Sequence, residues 1–192
     1  MAVPPPFHGR DMTLDKRALR ARMRAARDAF FATSPPAIEA GAAFTALLSH
    51  AATVASYVPI GSEADPMWLA RAAVERGCAI VLPHVTSRAD PIRFLAWDAE
   101  EDLLTGPFGL RQPHHESPAL APDIVLTPLV AFDAALNRLG QGAGHYDRAF
   151  AEFPHAVRIG VAWSVQRVEA LPADPWDMPL HAIATEQGWI TR

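Results

Sequence analysis

The residues best suited to chemistry stand in one stretch, Arg138-Leu139-Gly140-Gln141-Gly142-Ala143-Gly144-His145-Tyr146-Asp147-Arg148. Three glycines alternate with other residues, a cation leads in, and an aromatic, an acid and a cation lead out. Glycine reaches positive φ without steric cost, so alternating glycines let successive backbone N–H groups turn toward one point. Such a concave row binds anions, phosphate above all. The residues from His145 onward read as a helix, which puts the loop at a helix N-terminus, where the dipole also favours an anion. Arg138 can add a bidentate phosphate contact. Asp147 can hold the Mg²⁺ that accompanies a nucleotide. No Gly-Lys-Ser/Thr follows, and G-x-G-x-G is not the dinucleotide fingerprint. On spacing alone, a glycine-rich surface turn before a helix is an equal reading.

Sixteen arginines accompany a single lysine, Lys16. In a chain biased toward arginine, a lone lysine marks either a position that wants a compact point charge or chance on a solvated helix face. Lys16 and Arg20 stand four apart on one face. Lys16 falls in the first turn of the predicted helix, where the dipole disfavours a cation, a placement that suits holding an anion. No nucleophile competes with this picture. Ser164 lies in Ala-Trp-Ser-Val-Gln, not in G-x-S-x-G. Cys78 heads an apolar strand and is expected in the core. No Cys/His cluster has zinc spacing, and the adjacent pair His114-His115 reads as solvated loop.

These residues need a scaffold, and the 192-residue chain, half of it apolar, is long enough to build one. A net charge of −4 gives no reason to expect nucleic acid or an anionic membrane as partner. No run of about 18 apolar residues occurs, and the N-terminus has no signal-peptide pattern. A cytoplasmic monomer is expected, with a disordered leader over 1–11 and one domain over 12–192. Thr13 is expected to cap a helix running to about Phe31, with Asp15 in its first turn and Leu19, Met23, Ala26 and Phe30 as its apolar stripe. Ser34-Pro35 is expected to start a second helix reaching about His50. Asp65-Pro66 starts another, and Gly77 stops it. Strands are predicted over 53–58, 78–82, 92–97, 123–127 and 157–162, with a short one at 183–184. Strands separated by helices predict an α/β domain with a largely parallel, helix-covered sheet. Ligands on such sheets sit beyond the carboxyl ends of the strands.

Read in order, the motifs resemble the 5-formyltetrahydrofolate cyclo-ligase (5,10-methenyltetrahydrofolate synthetase) family. Lys16-Arg17-Ala18-Leu19-Arg20 resembles its N-terminal helix start. Tyr57-Val58-Pro59 with Glu63-Ala64-Asp65 resembles its strand-to-helix substrate segment. Leu82-Pro83 and Phe108 through Pro113 match smaller landmarks. Asp123 through Asp133, followed by Arg138 through Arg148, is the strongest match. Gln166, Leu171-Pro172, Asp177 and Thr185-Glu186 follow at suitable spacing. The resemblance implies a three-layer α/β/α sandwich. It also implies conversion of 5-formyltetrahydrofolate and MgATP into 5,10-methenyltetrahydrofolate, ADP and phosphate. Carried over, Lys16 and Arg138 are the catalytic cations. ATP is held by Lys16, Arg20, Arg138, Leu139, Gly140, Gln141, Gly142, Ala143, Gly144, His145 and Tyr146. The folate meets Val58, Glu63 and the loop from Gln141 to His145, and Mg²⁺ is held by Asp147 and Asp177. The chain departs from the pattern at Leu136, where glycine is usual, at Ala143, at His145, where Tyr or Phe is usual, and at Trp176 and His181. Two other readings keep the same loop: a related ATP-dependent enzyme on another N-formyl or amide substrate, and a non-catalytic nucleotide- or folate-binding module.

Overall fold

The computed structural model describes residues 9–49, 52–99, 101–172, 174 and 177–191. Of the expected leader, residues 1–8 lie outside it, and residues 9–11 already belong to helix α1 (Gly9–Phe31). No proline interrupts the chain between Pro6 and Pro35, so the helix runs on past the expected cap. Thr13 therefore lies within α1, and Lys16 stands about two turns in. The dipole argument for Lys16 falls away, since that field is confined to the first turn.

The second helix is also shorter than expected. Ser34 sits at φ 56 before Pro35-Pro36, and a residue ahead of proline is steered away from the α region. Helix α2 forms only over Ala42–Leu47, after Gly41; His50, its expected end, lies outside the described residues. Helix α3 (Met67–Glu75) follows its signals. The Asp65 carboxylate accepts from the Met67 amide at 2.9 Å, and Gly77, at φ 77, turns the chain out of the helix.

The strands are β1 (Thr53–Ala55), β2 (Ala79–His84), β3 (Arg93–Ala96), β4 (Leu104–Thr105), β5 (Arg111–Gln112), β6 (Ile124–Pro128), β7 (Ala131–Phe132), β8 (Arg138–Leu139), β9 (Val157–Val161), β10 (Ala182–Thr185) and β11 (Gly188–Thr191). Helix α4 (His145–Glu152) lies between β8 and β9. Seven strands form one sheet in the order β11-β10-β9-β6-β1-β2-β3. The five inner strands are parallel, and β3 and β11 pair antiparallel at the two edges. The first strand is three residues rather than six, and β11 was not foreseen.

Successive residues of each inner strand feed opposite faces, the period-two rule of a pleated sheet. Val54, Ile80, Ile124 and Leu126 join Phe44 of α2 and Leu69 of α3 in one core. Ala55, Val81 and Val125 join Phe132 and Phe150 of α4 in the other. Helices on both faces of a mostly parallel sheet make the expected three-layer α/β/α arrangement. The sequence runs outward from β1 to β2 on one side and from β6 to β9 and β10 on the other. The order thus reverses between β1 and β6, and the crevice beyond their carboxyl ends is where such sheets bind ligands.

Candidate active site

A cleft of about 350 Å³ opens at that reversal. Its wall includes Tyr57 and Val58 after β1, Pro83 in β2 and Pro128 at the end of β6. Each residue picked out from the sequence lines it: Lys16, Arg20, Val58, Glu63, Arg138 through Tyr146, Asp147 and Asp177. The landmarks Pro83, Phe108 and Leu110 line it too, together with Val85 and Ile92. The cleft is basic along the glycine loop and apolar opposite it. That division suits a ligand with an anionic end and a flat, weakly polar end.

Arg138 is placed by the β7–β8 hairpin. Asp133, 3% exposed, organises its turn. One carboxylate oxygen accepts from the amides of Ala135 and Asn137, each at 3.0 Å. The other accepts from the Asn137 side chain and the Leu171 amide, also at 3.0 Å. Leu136, where glycine is usual in the resembling family, keeps the left-handed conformation at φ 64 and is fully buried. The leucine carries the strain of that conformation, and its side chain fills a place in the core beside Phe132 and Leu180.

The Arg138 guanidinium is nearly buried, bonded through Nη2 to Asp147, and stacked 4.9 Å from the Phe150 ring. Its Nε has no hydrogen-bond partner among the described residues, and a buried donor without a partner is costly to leave so. Burial pulls the Arg138 pKa down from its usual value, and Asp147 opposes that pull. Arg20 donates from Nε to the Gly140 carbonyl at 2.8 Å. Arg88 and Arg148 hold the carbonyls of Gly142 and Ala143 at 3.2 and 3.1 Å. In a trans peptide the following N–H points the opposite way, so the amides of Gln141, Ala143 and Gly144 face away from these arginines. Gly142 and Gly144 take φ 98 and 68, and the Gly144 turn opens α4.

Lys16 reaches across to Asp174 at 2.6 Å and Asp177 at 3.3 Å. Asp177 was expected to be a metal ligand and Lys16 a phosphate ligand; they are brought into direct contact, and Asp174, unforeseen, shares the ammonium with Asp177. Oxygen-only donors such as Asp147 and Asp177 fit a hard cation. Among the described residues no group of three or more His, Cys, Asp or Glu side chains could hold a metal by itself. Mg²⁺ seldom has such a cage, since it prefers one or two carboxylates, phosphate oxygens and water.

Glu63 accepts from the Ile60 amide at 3.1 Å and from Gln141 Nε2 at 3.2 Å, with Arg27 Nη1 at 3.7 Å. Tyr146 also lines this end, and burial, reinforced by Glu63, raises its phenol far above the usual range, so it stays a neutral donor. His145 meets Arg148 at 3.0 Å through Nδ1, and burial with that arginine's charge lowers its pKa. The sequence reading did not place Arg24, Arg27, Arg88 and Asp174 in the cleft, and Arg148 stood in the motif without a role. Arg24 and Arg27 continue the cationic face of α1 begun by Lys16 and Arg20, and that spacing was there to find. Arg88 and Asp174 carry no local signal. His181 packs against Arg158, whose amide donates to its Nδ1 at 2.9 Å; Trp176 lies outside the described residues.

A model of the 5-formyltetrahydrofolate cyclo-ligase family matches residues 12–186. The chain is 34% identical over 141 residues to the 5-formyltetrahydrofolate cyclo-ligase of Escherichia coli K12, spanning 69% of this chain and 77% of that one. It is 31% identical over 150 residues to that of Mycolicibacterium smegmatis, spanning 72% and 76%. Among solved structures, the 5,10-methenyltetrahydrofolate synthetase of Aquifex aeolicus superposes with a TM-score of 0.66 at 26% identity, covering 92% of each chain. The synthetase of Mycoplasma pneumoniae superposes with a TM-score of 0.61 at 25% identity, covering 88% of this chain and 97% of that one.

Proposed function

The chain belongs to the 5-formyltetrahydrofolate cyclo-ligase family, a family of carbon–nitrogen ligases, and from that premise we propose that it converts 5-formyltetrahydrofolate to 5,10-methenyltetrahydrofolate with MgATP as co-substrate. The observation that carries this reading is the union, in one cleft, of a phosphate-type glycine loop with Arg138, two carboxylates and an apolar wall.

The formyl oxygen on N5 is a poor leaving group. Transfer of the γ-phosphoryl group from ATP to that oxygen releases ADP and makes it a good one. N10 then attacks the formyl carbon, loses its proton, and phosphate departs with the former formyl oxygen. The ring closes as the methenyl cation, with no oxidation or reduction. Phosphoryl transfer asks a protein mainly for positioning and charge stabilisation. In this reading Lys16, Arg20, Arg138 and the amides of the glycine loop supply positive potential where negative charge collects. Asp147 and Asp177 would hold Mg²⁺, which when bound neutralises phosphate charge. The apolar wall of Val58, Val85, Ile92 and Leu110 takes the flat ring system, Glu63 accepts its N–H groups, and water is kept from the activated carbon.

The test measures ADP release and methenyl absorbance with 5-formyltetrahydrofolate and MgATP, omitting each component in turn. Equal, folate-dependent formation of both is expected. ATP binding without either product would instead favour a non-catalytic module, and ADP formation only with a different formamide would favour a relative on another substrate.

A further inference from the structure

We propose that the Gln141 side chain ties the two substrate subsites of this cleft together, with Arg24 as its positioning residue, so that folate and ATP each bind more tightly in the other's presence. This rests on the reading that folate lies against Glu63 and the triphosphate along the glycine loop.

The orientation of the Gln141 amide is dictated by its partners. Arginine can only donate and a carboxylate can only accept. The oxygen therefore faces Arg24, which donates from Nε at 3.0 Å, and the nitrogen donates to Glu63 Oε1 at 3.2 Å. Gln141 thus joins three parts of the chain: α1, the segment after β1, and the loop that begins at Gly140. Both flanks of the bridge are anchored. Glu63 is held by the Ile60 amide and faces Arg27, whose Nε donates to Ser62 Oγ at 3.0 Å. The backbone beside Gln141 is held by Arg20 on Gly140 and by Arg88 on Gly142.

A glycine-rich loop loses much conformational freedom when it wraps an anion. A ligand that immobilises Glu63 also immobilises Gln141, so the loop has less freedom left to lose when the triphosphate arrives. A carboxylate offers about four acceptor sites, so Glu63 can take ligand N–H groups while it keeps Gln141. Linkage makes the effect equal in both directions. These hydrogen bonds are exposed to solvent, which puts the coupling near the low end of the usual range, about fivefold in affinity.

The experiment is calorimetry of a non-hydrolysable ATP analogue with Mg²⁺, with and without 5-formyltetrahydrofolate, on the wild-type protein, Gln141→Leu, Arg24→Ala and the double variant. The wild-type ratio of the two dissociation constants is expected near five, and the Gln141→Leu ratio near one. Arg24→Ala should fall between them and should change nothing further in the Gln141→Leu background, a pattern that a general loss of structure would not give. Equal ratios in the wild type and Gln141→Leu, or a wild-type ratio of one, overturn the proposal. If the wild-type protein binds neither ligand, the functional reading fails and takes the coupling with it. If it turns over both substrates with a ratio of one, the coupling alone fails.

Discussion

Lys16 faces two carboxylates that are each about 30% exposed, and a triphosphate brought to this end must share its ammonium with them. Removing the amine leaves Asp174 and Asp177 to repel phosphate as well as taking away a charged donor. Lys16→Ala should therefore raise KM for ATP and lower kcat/KM by about one to two decades, the effect of losing a charge-assisted hydrogen bond. Steady-state kinetics over a range of ATP concentrations checks this; an unchanged ATP dependence removes Lys16 from the phosphate site. Asp147 makes a second exchange of the same kind, being bonded to Arg138. In Asp147→Asn the Mg²⁺ titration should shift to higher concentration. A curve that superimposes on the wild type would mean that Asp147 is not a metal ligand. The sequence singled out Lys16, Arg138 and Asp147 through type and spacing and Asp177 through the family resemblance, and all four line one cleft. It did not reveal Asp174, because a carboxylate 158 residues from Lys16 acquires meaning only when the chain folds.

Turns and helix ends divide what was legible from what was not. Asp65-Pro66 and Gly77 marked α3 because a capping carboxylate and a left-handed glycine act locally. The front of α1 and the second helix were misread for opposite reasons. A possible cap at Thr13 does not stop a helix that the preceding residues can continue, whereas Pro35-Pro36 stops one that the composition would otherwise permit. Leu136 is the sharpest case, a leucine in a glycine conformation. Leu136→Gly would relieve roughly 1–3 kcal/mol of backbone strain but give up a buried leucine worth roughly 2–5 kcal/mol. At the midpoints of those ranges packing wins, and the variant should lose about 1.5 kcal/mol. Urea denaturation with an unchanged slope checks the sign; a stabilised variant would show that strain dominates at this turn.

Among the described residues no helix is long and apolar enough to cross a membrane. The strand order gave the cleft its address, and alternation along the strands gave the sheet its two covered faces. The sequence pattern predicted a largely parallel, helix-covered sheet without a homologue, whereas the strand order and the edge pairings required the structure, because pairing partners lie far apart in the chain. His84, at the end of β2, is 7% exposed, and its Nδ1 has no hydrogen-bond partner among the described residues. Burial, then the charge of Arg93, lowers its pKa below the usual histidine value. The unfolded chain therefore takes up that proton first, so stability is full above about 6.5 and falls as pH drops below it toward the folded value. The urea midpoint should decline between pH 7 and pH 5, and decline less in His84→Asn; equal declines would clear His84 of the effect. The long reach between Lys16 and Asp177, 161 residues apart in sequence, has a consequence during synthesis. Helix α1 therefore leaves the ribosome well before the segment that carries Asp174 and Asp177. A nascent chain that has made β1, β2 and β3 still lacks both the glycine loop and the partners of Lys16, so the cleft is completed in one late step, once Asp177 has been made.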